Sequence, residues 1–219
     1  VPVSLQPVRV VPEHRKAWAI YKDELPDYWD ATKVPSATGA IAWEFGGPPD
    51  VPFVWIAMDR GSKVHTALHY LDERDLHWPS IEGTELEQYA QTWREWLQPT
   101  DEMVAIEKPL WGTIAGVNFI VRPDRVIRRR GQIWIVDIKT KSKSGRRPND
   151  DEARKHSLEV AAQRLAVAQR LGPDADVTGC LYLWPTKAEL VRYGAARDID
   201  EFADILVRWQ EAQGQQKVA

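Results

Sequence analysis

A chain of 219 residues with 43% hydrophobic content is long enough to bury a substantial core, and it fits one soluble domain spanning 1–219 better than two. Its formal net charge of −3 excludes a uniformly basic surface, so any affinity for a polyanion has to come from local clustering. The lone Cys180 excludes an internal disulfide and any structural zinc or iron–sulfur cluster built on several thiolates.

The N-terminal "VPVSLQPVRVVPEHRK" lacks the charged-then-apolar order of a secretory signal, and no apolar run approaches the ~20 residues that cross a bilayer. A cytoplasmic protein without membrane contact is the expectation. Eleven Trp are spread along the chain and read mainly as core and rim packing.

In chain order, "EHRKAWAIYKDEL" (13–25) predicts a helix, and the segment 27–52 is turn-rich and irregular. Helical spacing follows in 59–74, where Val64, Ala67, Leu68 and Leu71 recur on one face, and in 83–98, where Leu86, Tyr89, Ala90, Trp93 and Leu97 do so. Period-two segments then predict strands at 102–110, 112–122, 124–130 and 132–140, joined by short turns that suit antiparallel neighbours. A charged loop over 141–156 leads to a helix over 157–172, strands near 177–185 and 188–194, and a last helix near 199–213. Between Arg122 and Arg147 ten basic residues stand against two acidic ones, Asp124 and Asp137, a basic cluster in an otherwise acidic chain.

The chemistry sits around "IWIVDIKTK". Alternate residues of a strand face one way, so Ile133, Ile135, Asp137 and Lys139 share a face. An acid and a base on one face suit a bound divalent metal and the charge developing on a phosphate, although an incidental ion pair at a strand end has the same spacing. Asn118, in a row with Ile114, Gly116 and Ile120, and Glu107, in a row with Met103 and Ala105, are polar exceptions in apolar patterns. His65 lies close to the packing face of its helix.

The ordered set "VPSAT" (34–38), "RGSKVHTAL" (60–68), "IEKPLWGTIAGVNFIV" (106–121), "IVDIKTK" (135–141) and "LEVAAQRLA" (158–166) resembles the RecB-type branch of the PD-(D/E)XK nuclease superfamily. Within that branch it is similar to phage-encoded exonucleases and the mitochondrial genome-maintenance exonuclease. The resemblance implies an α/β, restriction-endonuclease-like fold, a mixed central β-sheet flanked by α-helices, with its core over about 34–194. It also implies an Mg²⁺- or Mn²⁺-dependent DNA exonuclease, acting on single strands or free ends in phage recombination, replication or DNA processing, alone or with a recombination or replication protein.

Carried over by position, the resemblance makes His65, Asp137 and the backbone carbonyl of Ile138 metal ligands and Lys139 the catalytic lysine. Glu107 matches an acidic position of less defined role, and Glu159 and Gln163 stand where the family has Gln and Tyr. Ser36, Arg60, Lys63, Lys141, Lys143, Arg146 and Arg147 become candidates for DNA contact. Position 118 matches the first metal-binding aspartate, so Asn118 implies reduced or abolished cleavage. Three explanations are open: a deliberate Asp→Asn change, a naturally inactive relative kept for binding, or compensation by Glu159.

Overall fold

The structure is a computed structural model, and it describes residues 34–172, 174–194 and 196–215. The helix expected over 13–25 lies outside the described residues. Among the described residues five α-helices, α1 (Ala37–Phe45), α2 (Pro52–Asp72), α3 (Glu85–Trp96), α4 (Asp150–Leu171) and α5 (Ala196–Gln215), accompany seven strands. The strands are β1 (Glu102–Ile106), β2 (Leu110–Ile114), β3 (Val117–Val121), β4 (Arg125–Arg129), β5 (Gln132–Thr140), β6 (Val177–Trp184) and β7 (Lys187–Arg192). None of the described helices is long and apolar enough to cross a membrane.

Five strands form a mixed sheet in the order β1-β4-β5-β6-β7, with β5 and β6 parallel and every other pair antiparallel. The parallel pair requires a crossover, and α4 is that crossover. Alternation along β5 sorts its side chains between two cores. Ile133 and Ile135 pack with α1, α4 and α5, whereas Val136 and Ile138 pack with Val64 and Leu68 of α2 and Trp93 of α3. A mixed α/β sheet flanked by helices is therefore the observed architecture, as the resemblance implied.

Several boundaries differ from expectation for local reasons. Residues 27–52 were expected to be irregular, but the Ser36 hydroxyl accepts from Gly39 N at 3.0 Å and caps α1. α2 begins at Pro52, well before position 59, because proline at the first helical position needs no hydrogen bond for its missing N–H. α4 takes over the end of the expected loop: Asn149 and Glu152 cap each other's backbone, a reciprocal box that starts the helix at Asp150.

The segment 112–122 is not one strand. Ala115 and Gly116 have φ of 49° and 75°, which turns the chain back on itself and makes β2 and β3 a separate two-stranded hairpin. That hairpin packs its Phe119 edge-on against Phe202 of α5, with ring centroids 5.0 Å apart.

Part of the basic cluster is consumed by the fold. Arg125 is fully buried, donates through Nε to Asp72 Oδ2 at 2.5 Å and lies 5.9 Å from the Trp93 ring centroid. Arg129 pairs with Asp101 and is sandwiched between the rings of Trp96 and Trp134. Removing one member of a buried ion pair strands the other charge in the core. Replacing Asp72 by Ala should therefore cost about 3–5 kcal/mol of stability, read from urea denaturation; a loss comparable with that of an exposed pair would contradict a buried, coupled Asp72–Arg125 contact.

Candidate active site

β5 outruns β4. The last β4 to β5 pair is Arg125 with Val136, and continuing that register would set Pro123 against Ile138. Proline has no N–H to offer the Ile138 carbonyl, so strand pairing stops there and the Ile138 peptide needs other partners. Two side chains supply them. Asp124 Oδ2 accepts from Ile138 N at 2.6 Å, and His65 Nε2 donates to the Ile138 carbonyl at 3.0 Å. The other His65 nitrogen, Nδ1, faces Asp124 Oδ1 at 3.4 Å.

With both ring nitrogens facing acceptors, the surroundings favour the protonated form of the imidazole. Burial alone would lower its pKa, but the charge and hydrogen bond of Asp124, with Glu107 and Asp137 behind, raise it above 6.5. Burial likewise pushes Asp124 upward. His65, the Ile138 N–H and Lys139 outweigh that and hold its carboxyl down at about 2.

On the α4 side, Asp137 and Lys139 share the face predicted for them. Lys139 Nζ lies 2.9 Å from Asp137 Oδ2 and 2.7 Å from Glu159 Oε2, and Gln163 Nε2 donates to Asp137 Oδ1 at 2.9 Å. Glu159 and Gln163, one helical turn apart, thus point together at the strand. Burial would lower the Lys139 pKa, yet Asp137 and Glu159 push it well above its ordinary value, so it is an ammonium under all working conditions. Burial raises the Glu159 carboxyl against the pull of Lys139, and the Asp137 charge adds to the rise. The Cys180 thiol, 3.6 Å from Asp137 Oδ2, is pushed up by burial and by that same carboxylate.

His65, Asp124, Asp137, Ile138, Lys139, Glu159 and Gln163 line one cavity of about 690 Å³, closed on other sides by Ser36 of the α1 cap and the first turns of α2. Gly61 allows α2 to approach, since a Cβ there would stand 3.3 Å from Thr140 Oγ1. Among the described residues no three His, Cys, Asp or Glu side chains close into a cage. The donor set is instead an imidazole, two carboxylates and a carbonyl opening on the cavity.

Asn118 is not in this group. It is paired with Thr113 across the β2–β3 hairpin, its Oδ1 accepts from Thr113 Oγ1 at 2.8 Å, and it does not line the cavity. The expectation that position 118 completes the acid cluster is corrected by the turn at Ala115–Gly116, which puts that residue on another sheet. The acid beside His65 is Asp124, and the loss of activity argued from Asn118 loses its structural basis. The available sequence signal was the Pro123-Asp124 pair upstream of Asp137, read as part of a basic hairpin.

Glu107 stays outside the cavity. β1 stops at Ile106 after a bulge, Glu107 takes φ 45°, its N–H donates to the Asp124 carbonyl at 3.0 Å, and its carboxylate faces Arg125 at 3.8 Å and Arg122 at 4.0 Å. It braces the Asp124 backbone. Of the residues proposed for DNA contact, Ser36 and Lys141 reach the cavity wall, and Arg60 is next to Gly61 on it. Lys63 is paired with Asp59 at 2.7 Å and Arg147 with Glu189 at 2.5 Å, both away from the cavity, while Lys143 and Arg146 are exposed on the loop. Arg122, which the sequence reading left in the general cluster, is on the wall.

No curated protein matches the sequence. Among solved structures the chain is similar to a protein of Eubacterium rectale described as a candidate exonuclease, at 12% identity, covering 95% of this chain and 85% of that one with a TM-score of 0.48. It is also similar to SSO0001, at 11% identity, covering 77% and 80% with a TM-score of 0.36. Residues 54–217, most of the chain and all of the site except the α1 cap, match the family model of the PD-(D/E)XK nuclease superfamily. The chain belongs to the PD-(D/E)XK nuclease superfamily.

Proposed function

We propose that the chain is a divalent-metal-dependent DNA exonuclease with a complete set of acids, acting in phage recombination, replication or DNA processing. The observation that carries this reading is the meeting of Asp124, Asp137 and Lys139 with His65 on one cavity in a member of a nuclease superfamily. The exonuclease assignment, as against internal cleavage, rests on the ordered motifs from "VPSAT" to "LEVAAQRLA".

The donors fit Mg²⁺ or Mn²⁺, since they are carboxylate and carbonyl oxygens with one imidazole. His65 Nε2 and the Ile138 carbonyl, 3.0 Å apart, satisfy one another, and a cation could recruit both once Nε2 has given up its proton. His65, Asp124, Asp137 and the Ile138 carbonyl would hold the ion, which when bound supplies Lewis acidity at the scissile phosphate.

The chain's own contribution is largely electrostatic. Lys139, fixed between Asp137 and Glu159, keeps an ammonium beside the position where charge develops during in-line displacement, and being always charged it acts as a stabiliser and not as a base. Gln163 fixes the Asp137 carboxylate, and Glu159 fixes Lys139. Residue 118 has no part in this reading.

End-labelled linear DNA should be degraded from its ends in Mg²⁺ or Mn²⁺ while circular single strands survive; cleavage of both at equal rates would sink the exonuclease assignment. Asp124→Asn and Lys139→Ala should each slow hydrolysis at least ~100-fold, and Asp124→Asn should also weaken Mn²⁺ binding, measured by electron paramagnetic resonance, by at least ~10-fold. Asn118→Asp should change neither. A large gain from Asn118→Asp would restore the assignment of the first acid to that position.

The His65 pKa makes a separate prediction for the metal-free chain. A histidine whose folded pKa is raised stabilises the fold fully below its unfolded value of 6.5, and the contribution is lost as pH climbs through the folded value. Asp124 has the opposite sign: its contribution is present above the unfolded 3.8 and is lost as pH falls through about 2. In EDTA, the melting-temperature advantage of the wild type over His65→Gln should therefore shrink as pH rises above 6.5. A constant or growing advantage would contradict the raised pKa of His65.

A further inference from the structure

One histidine on the cavity wall has no role in the chemistry described so far. His156 lies three residues before Glu159 on α4, and its ring faces the same cavity as Lys139. Its Nδ1 is 2.9 Å from the Tyr182 hydroxyl, and that hydroxyl is 3.1 Å from the hydroxyl of Tyr193. Tyr182 cannot drift: it is fully buried on β6, centred 6.3 Å from the Trp184 ring, with the Lys141 ammonium 5.4 Å from its own ring centroid. Such a relay fixes both the rotation of the imidazole and the location of its proton.

A phenol is a good donor and a poor acceptor, whereas a neutral imidazole nitrogen is a good acceptor. The favoured order is therefore Tyr193 donating to Tyr182 and Tyr182 donating to Nδ1, which leaves the proton on Nε2. Burial and then the positive charges of Lys139, Lys141 and Lys155, opposed by Asp137, push the His156 pKa down to about 3. The ring is neutral, with a fixed Nε2–H.

We propose that His156 is a phosphate-binding residue of the nucleic-acid strand, donating Nε2–H to a non-bridging oxygen beside the scissile phosphate, with Tyr182 and Tyr193 as its positioning residues. This assignment rests on the nuclease reading of the site. A neutral donor suits the position, because Lys139 and Lys141 already supply charge and an imidazolium there would repel both. His156 adds direction.

The test uses a fluorescein-labelled single-stranded oligonucleotide in EDTA for affinity and Mg²⁺-supported hydrolysis for KM and kcat. His156→Phe, which keeps the ring volume and removes the donor, should weaken binding about 10- to 100-fold and raise KM more than it lowers kcat, with the melting temperature unchanged. His156→Gln retains a donor near Nε2 and should recover most of the affinity. Tyr182→Phe should give a smaller loss of the same kind by releasing the tautomer. A single neutral methylphosphonate linkage at the contacted position should weaken the wild type but add nothing to the loss in His156→Phe.

Wild-type affinity in a folded His156→Phe overturns the assignment. If His156→Phe does not fold, wild-type affinity in Tyr182→Phe together with no methylphosphonate effect overturns it instead. A wild-type chain that neither binds nor cleaves DNA defeats the nuclease reading itself, whereas a cleaving wild type with an indifferent His156 defeats only this inference.

Discussion

The site depends on a single peptide group, that of Ile138, left without a β4 partner where β4 ends. A buried N–H and C=O cannot be abandoned without a cost of about 1–3 kcal/mol each, so the fold must bring two side chains to them. Those side chains are Asp124 and His65, and in meeting the backbone requirement they bring a carboxylate and an imidazole together. A structural need and a chemical one are met by the same contacts. Pro123 is the cause, because any other residue there could donate to the Ile138 carbonyl and extend the ladder.

Around that peptide three carboxylates face two cationic side chains. Asp124 faces His65, Asp137 faces both Lys139 and an amide, and Glu159 faces Lys139. Each carboxylate has a named partner that offsets the cost of its burial. The layer behind is equally paired: Arg125, whose Nη1 donates to the Asp124 carbonyl at 2.7 Å, is itself held by Asp72, and Asp72 Oδ1 accepts from Trp93 Nε1 at 2.8 Å. The backbone of Asp124 is thus tied through Arg125 to the α2–α3 core and through Glu107 to the end of β1. Such bracing is what keeps a loop acid in place.

Where the chemistry follows strand alternation or helix periodicity, the sequence was legible. Asp137 with Lys139, and Glu159 with Gln163, fall on the faces that simple spacing assigns, and β5 and β6 stand close to their expected bounds. Turn chemistry was not legible in the same way. Ala115 at a left-handed φ gives no signal of the kind that Asn-Gly would, so two strands read as one and Asn118 was placed on a face it does not occupy. Charge counting failed similarly. Arg125 and Arg129 counted as surface cations although both are buried against carboxylates, and tertiary pairing of that sort leaves no mark in local composition.

The spacing of the two acids follows from sheet geometry. β4 and β5 are joined by a two-residue turn at Arg130 and Gly131, with φ of 53° and 82°, and the register runs from Arg129 opposite Gln132 to Arg125 opposite Val136. One step further sets Asp124 opposite Asp137. A tight hairpin of fixed register thus carries both carboxylates to one cavity without any long-range coincidence. A one-residue slip would send Asp137 and Lys139 together to the α2 face and Ile138 to the α4 face, separating both charged groups from Glu159 and Gln163. Registry of the β4–β5 hairpin, held by its turn and by the buried Arg125 and Arg129, therefore determines whether there is a site at all.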